Sequence, residues 1–188
     1  MIASRGDDDR ALIGAIARGD RKAFDALYRR YHGPLSAFVL KTTRRADLVD
    51  DVVNEAMLVI WRSAARFEGR STVRTWIFGV GYRCGLNAMR AQRKADADAP
   101  LEDEVLGTAG AVPAKADEVI ARETMARALA TLSPEQRAVI ELTYYFGYSV
   151  AEVADIVDCP AGTVKTRMLA ARRRLHQVLG ESGGASDG

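Results

Sequence analysis

The chain is poor in residues that could tie it together covalently or through a metal: two cysteines (Cys84, Cys159) and two histidines (His32, His176) in 188 residues. The two thiols fit neither a C-x-x-C motif nor a Cys/His ligand pattern, so no disulfide framework and no metal site is expected. Two buried thiols are the simpler reading. No run of about 18 apolar residues occurs, and no charged-then-apolar leader opens the chain. Neither membrane insertion nor secretion is supported, and a cytoplasmic protein is the expectation. A nucleophile motif, a phosphate-cradling loop and a carboxylate-metal pattern are all missing, which argues against an enzyme and against a bound cofactor. Alternating apolar and polar residues, the mark of a half-buried strand, are also absent.

Charge is abundant but balanced, with 27 basic against 25 acidic residues and a net charge of +2. The balance is regional. Residues 1–95 carry 18 basic and 10 acidic groups, residues 96–118 carry 1 and 7, and residues 119–188 carry 8 and 8. Within the last segment, residues 163–176 hold Lys165, Arg167, Arg172, Arg173 and Arg174 with no acid. Basic patches of this kind point toward nucleic acid.

Apolar residues recur at helical spacing almost throughout, so the chain reads as all-α. Leu12, Ile13 and Ile16 mark a first helix. Asp20 is a candidate N-cap for a second, Gly33-Pro34 reads as a break, and Leu35, Phe38 and Val39 begin a third. A helix from about Ala46 to Ala65 buries Val49, Val52, Val53, Ala56, Met57 and Ile60; Phe67–Ser71 reads as a loop, and another helix runs from about Thr72 to Lys94. The periodicity then lapses. Residues 96–116 are acidic and rich in Ala, Gly and Pro, and read as a flexible linker. Two small helical domains follow from this, residues 1–95 and 117–180, with a Gly/Ser-rich tail at 181–188 expected to be disordered. In the second domain, Ser133-Pro134-Glu135-Gln136 and Ser149 with Glu152 have the form of capping boxes. Asp158-Cys159-Pro160 is a turn before a final helix that buries Val164, Met168, Ala171, Leu175 and Val178.

Three constellations stand out. The short helix, turn and basic helix over 149–176 have the form of a helix-turn-helix, whose second helix fits the major groove of DNA. Ala161, Gly162 and Thr163 would stand at its entrance, and Lys165, Thr166, Leu169, Arg172 and Arg173 fall mainly away from the buried stripe. The helix at 46–65 carries Asp47, Asp50, Asp51, Asn54, Glu55 and Leu58 at i, i+3, i+4 spacing. Like charges on one side cost a few tenths of a kcal/mol per pair. Such a face is either simply solvated or a docking surface for a basic partner, with Leu58 as apolar anchor. The helix from Thr72 carries Arg74, Arg83, Arg90, Arg93 and Lys94 with Trp76, Phe78 and Tyr82 interleaved. Cations with aromatics suit single-stranded nucleic acid, whereas aromatics alone are equally core residues. Gly79, Gly81 and Gly85 in the same helix serve either close helix packing or close backbone approach.

These residues carry a resemblance. Asp50 to Arg62 (DDVVNEAMLVIWR) resembles the acidic helix of extracytoplasmic-function sigma factors of the sigma-70 family, and Phe67 and Ser71 to Trp76 follow at that family's spacing. Leu132 to Arg137, Val150 to Ala154 and Cys159 to Arg167 are similar to the family's C-terminal domain and recognition helix. The resemblance covers about residues 9–95 and 117–179. It implies that Asp47, Asp50, Asp51, Asn54, Glu55 and Leu58 dock on the clamp helices of the beta-prime subunit of core RNA polymerase, with a further contact to the beta flap. It implies that the first domain captures the melted minus-ten element. There the loop Phe67, Glu68, Gly69, Arg70 and Ser71 would form a pocket for a flipped base, and Arg74, Arg83, Asn87 and Arg90 would contact strand and backbone. It implies that Ala161, Gly162, Thr163, Lys165, Thr166, Arg167, Leu169, Arg172 and Arg173 read the minus-35 element of promoter DNA, and that an anti-sigma factor is a further partner.

The resulting expectation is a promoter-specificity subunit of RNA polymerase. The alternative is a sigma-mimicking protein that binds an anti-sigma factor without contacting DNA, which would be expected to lack Arg83, Arg90, Lys165 and Arg172. A two-domain helix-turn-helix repressor would need no acidic docking helix.

Overall fold

The computed structural model describes residues 5–97 and 116–183, with side chains over 6–95 and 123–180. Every regular element among them is helical: α1 (Arg5–Ala17), α2 (Arg21–Thr43), α3 (Val49–Ser63), α4 (Val73–Ala97), α5 (Ala116–Ala130), α6 (Pro134–Ile140), α7 (Val150–Val157) and α8 (Ala161–Gly183). Short 3-10 turns, Ala46–Leu48 and Ala64–Arg66, flank α3, and a π-helical turn, Glu141–Tyr145, extends α6.

Local capping chemistry sets several of the starts. The amides of Lys22 and Ala23 donate to Asp20 Oδ1 at 2.8 and 3.2 Å, which satisfies donors that the first turn of α2 would otherwise leave orphaned. Ser133 with Gln136 and Ser149 with Glu152 close reciprocal capping boxes on α6 and α7. The α7 helix ends at Asp158 in the left-handed region, φ 51°, and the chain turns into α8.

The expected break at Gly33-Pro34 does not occur: α2 runs through it with Pro34 inside the helix. An interior proline costs about 3 kcal/mol through a lost backbone hydrogen bond and a ring clash. Two features offset that cost. Residue 33 has no Cβ, so no clash with the preceding side chain adds to the one between the proline ring and the Arg30 carbonyl. Leu27, Tyr31, Leu35, Phe38 and Val39 are all buried on one face, and breaking the helix would expose part of a stripe worth about 1.5–3 kcal/mol per large side chain. Two smaller differences concern the C-terminal end. Leu175 and Val178 are half-buried rather than buried, and α8 continues beyond Gly180 to Gly183. Most of the segment read as linker, and the last five residues of the tail, lie outside the described residues.

The helices of the two halves share one hydrophobic cluster, which runs from Ile13, Leu35, Phe38 and Phe78 to Leu142, Tyr148, Ile156 and Met168. At the seam, the Phe146 ring lies edge-on to Phe38 and Phe78, with centroids 5.7 and 5.1 Å away, and Tyr148 packs on Phe78 at 5.4 Å. Polar contacts frame this aromatic cluster. Arg137, only 5% exposed, donates from Nη1 to the Thr42 carbonyl at the end of α2 (2.9 Å), and also to the carbonyls of Leu129 and Leu132 at the end of α5. Its guanidinium lacks a carboxylate partner among the described residues; helix-end carbonyls hold the charge instead. Lys41 pairs with the buried Glu141 at 3.4 Å. The hydroxyls of Thr42 and Tyr148 are buried here without a hydrogen-bond partner.

The helical glycines left open by the sequence divide by function. A Cβ on Gly79 would lie 3.5 Å from the Ile156 carbonyl oxygen, an ordinary van der Waals contact, so α4 and α7 pack closely there without clashing with a methyl group. A Cβ on Gly81 would lie 2.5 Å from Leu35 Cδ1, a packing contact with α2. Gly81→Ala is therefore expected to lower the melting temperature, even though alanine gains about 1 kcal/mol of helix propensity over glycine. Gly14→Ala, whose new Cβ would meet only Arg18 Nη1 at 3.8 Å, is expected to raise it. Thermal unfolding followed by circular dichroism distinguishes the two outcomes.

Candidate nucleic-acid interface

On α3, one face is apolar and sealed. Val52, Val53, Ala56, Met57 and Ile60 are buried against α2 and α4, while Asp50, Asp51, Asn54, Glu55 and Leu58 face solvent. Leu58 is 45% exposed, with Val59 beside it at 36%, so an apolar edge borders the acids. Asp47 precedes α3, and Arg45 grips it with two hydrogen bonds of 2.8 and 2.6 Å, which holds its carboxyl below the usual carboxylate range. Asn54 Oδ1 accepts a hydrogen bond from Tyr28 at 3.3 Å. Asp50, Asp51 and Glu55 have no ion-pair partner among the described residues. The six residues thus form one exposed acidic strip.

The loop after α3 is built more tightly than its sequence suggests. Phe67 stacks on Trp76 at 5.0 Å, which fastens the start of the loop to α4. Gly69 takes a left-handed φ of 71°, and its carbonyl accepts a hydrogen bond from Arg10 Nη2 at 3.1 Å. Arg70 and Glu68 pair at 2.6 Å on the surface. The Thr75 amide donates to Thr72 Oγ1 at 3.0 Å, an N-cap that starts α4. The loop borders a cavity of about 860 Å³, which is also lined by Arg10, Arg30, Tyr31 and Arg74.

Along α4 the aromatics and the cations separate. Phe78 and Tyr82 are core residues and Trp76 is half-buried, so none of them presents a free stacking face. Burial pushes the Tyr82 hydroxyl up to about 12. Arg74, Arg83, Asn87 and Arg90 are exposed, and Arg90 donates to Asn87 Oδ1 at 3.4 Å. Arg74 is engaged at the seam: it donates to the Phe146 carbonyl at 3.0 Å and lies 4.4 Å from the Tyr148 ring centroid.

The segment from α7 through Asp158–Pro160 to α8 forms the expected helix-turn-helix. Val153, Ile156, Val157, Val164 and Met168 are buried within it. The Pro160 carbonyl accepts the amides of Thr163 and Val164 at 2.8 and 3.2 Å, which sets the entry of α8. Ala161, Gly162, Lys165, Thr166, Leu169, Arg172 and Arg173 are exposed, whereas Thr163 and Arg167 are half-buried, Arg167 reaching Cys159 Sγ at 3.8 Å. Arg172 is held by the Tyr144 hydroxyl and ring. Leu169, 50% exposed among these cations, offers an apolar contact of the kind that suits a thymine methyl.

An exposed acidic strip, a basic helix beside a hydrogen-bonded loop, and a helix-turn-helix occur in that order along one chain. The family models agree with this order: Sigma-70 region 2 matches residues 27–95 and Sigma-70, region 4 matches residues 122–175. The ECF RNA polymerase sigma factor SigM of Mycobacterium tuberculosis is 37% identical over 175 residues, 92% of this chain and 85% of that protein. The chain belongs to the extracytoplasmic-function sigma factors of the sigma-70 family. The sigma-E factor of Escherichia coli is 31% identical over 179 residues, covering 89% of this sigma factor and 92% of that one. Among solved structures, CnrH in complex with the cytosolic domain of CnrY matches 93% of the chain at a TM-score of 0.67 and 26% identity, covering 99% of CnrH. RpoE of Bartonella quintana, solved with the anti-sigma factor NepR, matches 84% at 0.67 and 25% identity, covering 97% of RpoE. As a family member, this sigma factor directs RNA polymerase to promoters.

Sequence reasoning missed Arg10, which bonds the loop, Asp9, Arg30 and Tyr31, which join α1 to α2, and Arg137, which joins the halves. Their partners lie up to 95 residues away along the chain. The two cysteines also differ. Cys84 is buried, which pushes its thiol up to about 11, while Cys159 is half-buried beside Arg70 and Ser71 in a cavity between the loop and the helix-turn-helix. Iodoacetamide near neutral pH is therefore expected to modify Cys159 in the folded sigma factor and Cys84 only once denaturant unfolds it. Peptide mass mapping of the alkylated protein checks this.

Proposed function

We propose that this sigma factor holds core RNA polymerase and promoter DNA with different faces of its two helical domains. The first spans residues 1–95 and the second 117–180, with a flexible connector at 96–116 and a terminal tail at 181–188. Asp47, Asp50, Asp51, Asn54, Glu55 and Leu58 dock on the beta-prime clamp helices, and the second domain meets the beta flap. Phe67, Glu68, Gly69, Arg70 and Ser71 receive a flipped base of the minus-ten element, while Arg74, Arg83, Asn87 and Arg90 track the strand. Ala161, Gly162, Thr163, Lys165, Thr166, Arg167, Leu169, Arg172 and Arg173 meet the minus-35 element.

The observation that carries this reading is the acidic strip of α3, where Asp50, Asp51 and Glu55 stand exposed beside Leu58 and no cation among the described residues pairs them. Acids left this way cost helix stability, and a basic partner surface removes that cost on docking. The exposed basic residues of α4 and α8 support a DNA role rather than a pure protein-binding one. The protein works as a regulator of initiation without catalysis of its own, in the cytoplasm, where its polymerase acts. No helix among the described residues is long and apolar enough to cross a membrane. By extension from RpoE with NepR, an anti-sigma factor is a further partner.

Charge reversal at Asp51 or Glu55 is expected to abolish co-elution with core polymerase while leaving the melting temperature unchanged, because both side chains are exposed. Arg172→Ala should leave core binding intact, weaken upstream promoter binding, and reduce the salt-dependence slope by about 1. Tight promoter binding without core, together with failure to bind core, would overturn the proposal.

A further inference from the structure

The region 2 match begins at residue 27, so α1 lies outside it, yet α1 makes the contact that shapes the loop. Asp9 is 4% exposed and is held by Arg30 and by the Tyr31 hydroxyl, both on α2. Burial, together with the hydrogen bond to Asp9, raises the Tyr31 hydroxyl above its ordinary range, so it stays a donor. A buried carboxylate with a cation and a hydroxyl fixes the register of α1 on α2, because removing either partner would leave a costly uncompensated group. The next residue, Arg10, is exposed and reaches across to the Gly69 carbonyl. A Cβ on Gly69 would lie 3.0 Å from Arg10 Nη2, so the guanidinium sits directly against the left-handed turn. Arg10, Gly69, Arg70 and Ser71 share the wall of the cavity of about 860 Å³.

We infer that Arg10 is a positioning residue for minus-ten base selection, with the Asp9–Arg30–Tyr31 cluster fixing the helix from which it acts. The inference rests on the reading of residues 67–71 as the base pocket. Base discrimination needs donors and acceptors held to within a fraction of an ångström. A loop of five residues with a glycine at positive φ does not hold itself that well. The hydrogen bond from Arg10 removes one of its backbone freedoms and orients the adjoining amides. Asp9 keeps Arg10 from drifting, since the two residues are neighbours on one turn of α1.

The test uses full-length sigma factor reconstituted with core polymerase and a promoter library randomised over the minus-ten element, with sequencing of the fragments carried into open complexes. Arg10→Ala is expected to flatten the preference at one minus-ten position by roughly fivefold, the equilibrium value of about one net hydrogen bond. Core affinity and the salt slope of promoter binding should stay as in the wild type, and the melting temperature should fall by no more than the few degrees that one exposed hydrogen bond is worth. An even loss of open complexes at every base with a shallower salt slope would mean that Arg10 contacts a phosphate directly, and would overturn the inference. An unchanged preference profile would overturn it too. Ser71→Ala, run in parallel, tests the pocket itself: if it alters the profile while Arg10→Ala does not, only the role of Arg10 fails. If neither alters it, the reading of the loop as a base pocket fails with it.

Discussion

The arrangement of the whole molecule depends on the edge-on packing of Phe146 against the touching rings of Phe38 and Phe78. That contact joins two sets of helices that each have a modest core into one continuous apolar cluster. It also explains the π-helical turn. By widening the end of α6 over Glu141–Tyr145, the chain brings Phe146 inward while Tyr144 and Tyr145 face solvent. Arg137 completes the joint by capping the ends of α2 and α5 at once, so one buried guanidinium stands between elements from both halves. Within the first half, α3 turns its apolar face toward α2 and α4 and its acids outward. The α7 helix lies against α4 at Gly79, with the Ile156 backbone in contact distance of that position.

Electrostatics divides the surface into zones rather than balancing it. The acids of α3 are spaced so that they meet one another along the helix, and Glu55 lies too far from the N-terminus for the dipole to offset its charge. Of the acids on this face, Asp47 alone is gripped by a cation among the described residues, Arg45. The basic residues behave in the opposite manner: many are already tethered to neutral groups. Arg74 rests on a carbonyl and an aromatic ring, Arg172 on a tyrosine, and Arg90 on an asparagine. Tethering lowers the conformational entropy that such side chains lose on meeting a phosphate. The near-zero net charge is the sum of these zones.

Helix starts were readable because they are local. Asp20, Ser133 and Ser149 cap residues two or three positions away, and the donor and acceptor sit in the same short stretch of chain. The buried faces of α3 and α8 were likewise carried by periodicity, as was the helix-turn-helix. Gly33-Pro34 joins two residues that each tend to break a helix, yet the glycine spares the proline ring a clash with a preceding Cβ and the buried stripe holds the helix through the pair. What remained hidden depends on distant partners: Arg10 with Gly69, Asp9 with Tyr31, and Arg137 with Thr42. Nothing in the neighbourhood of those residues distinguishes them from ordinary surface charges. The alternatives for the aromatics of α4 could be resolved only by their burial, which placed Phe78 and Tyr82 in the core.

The two orphaned hydroxyls, Thr42 Oγ1 and Tyr148 Oη, both belong to the seam between the halves. A buried hydroxyl without a partner costs about 1–3 kcal/mol relative to its hydrated state. Each is therefore a debit charged only while the halves are together and refunded by water when they part. Glu141, whose buried carboxylate pairs with Lys41 across the same boundary, would also regain solvent. The joint thus combines strong aromatic packing with a built-in release, so a partner that wedges the two sets of helices apart works against less than the buried apolar area alone would suggest.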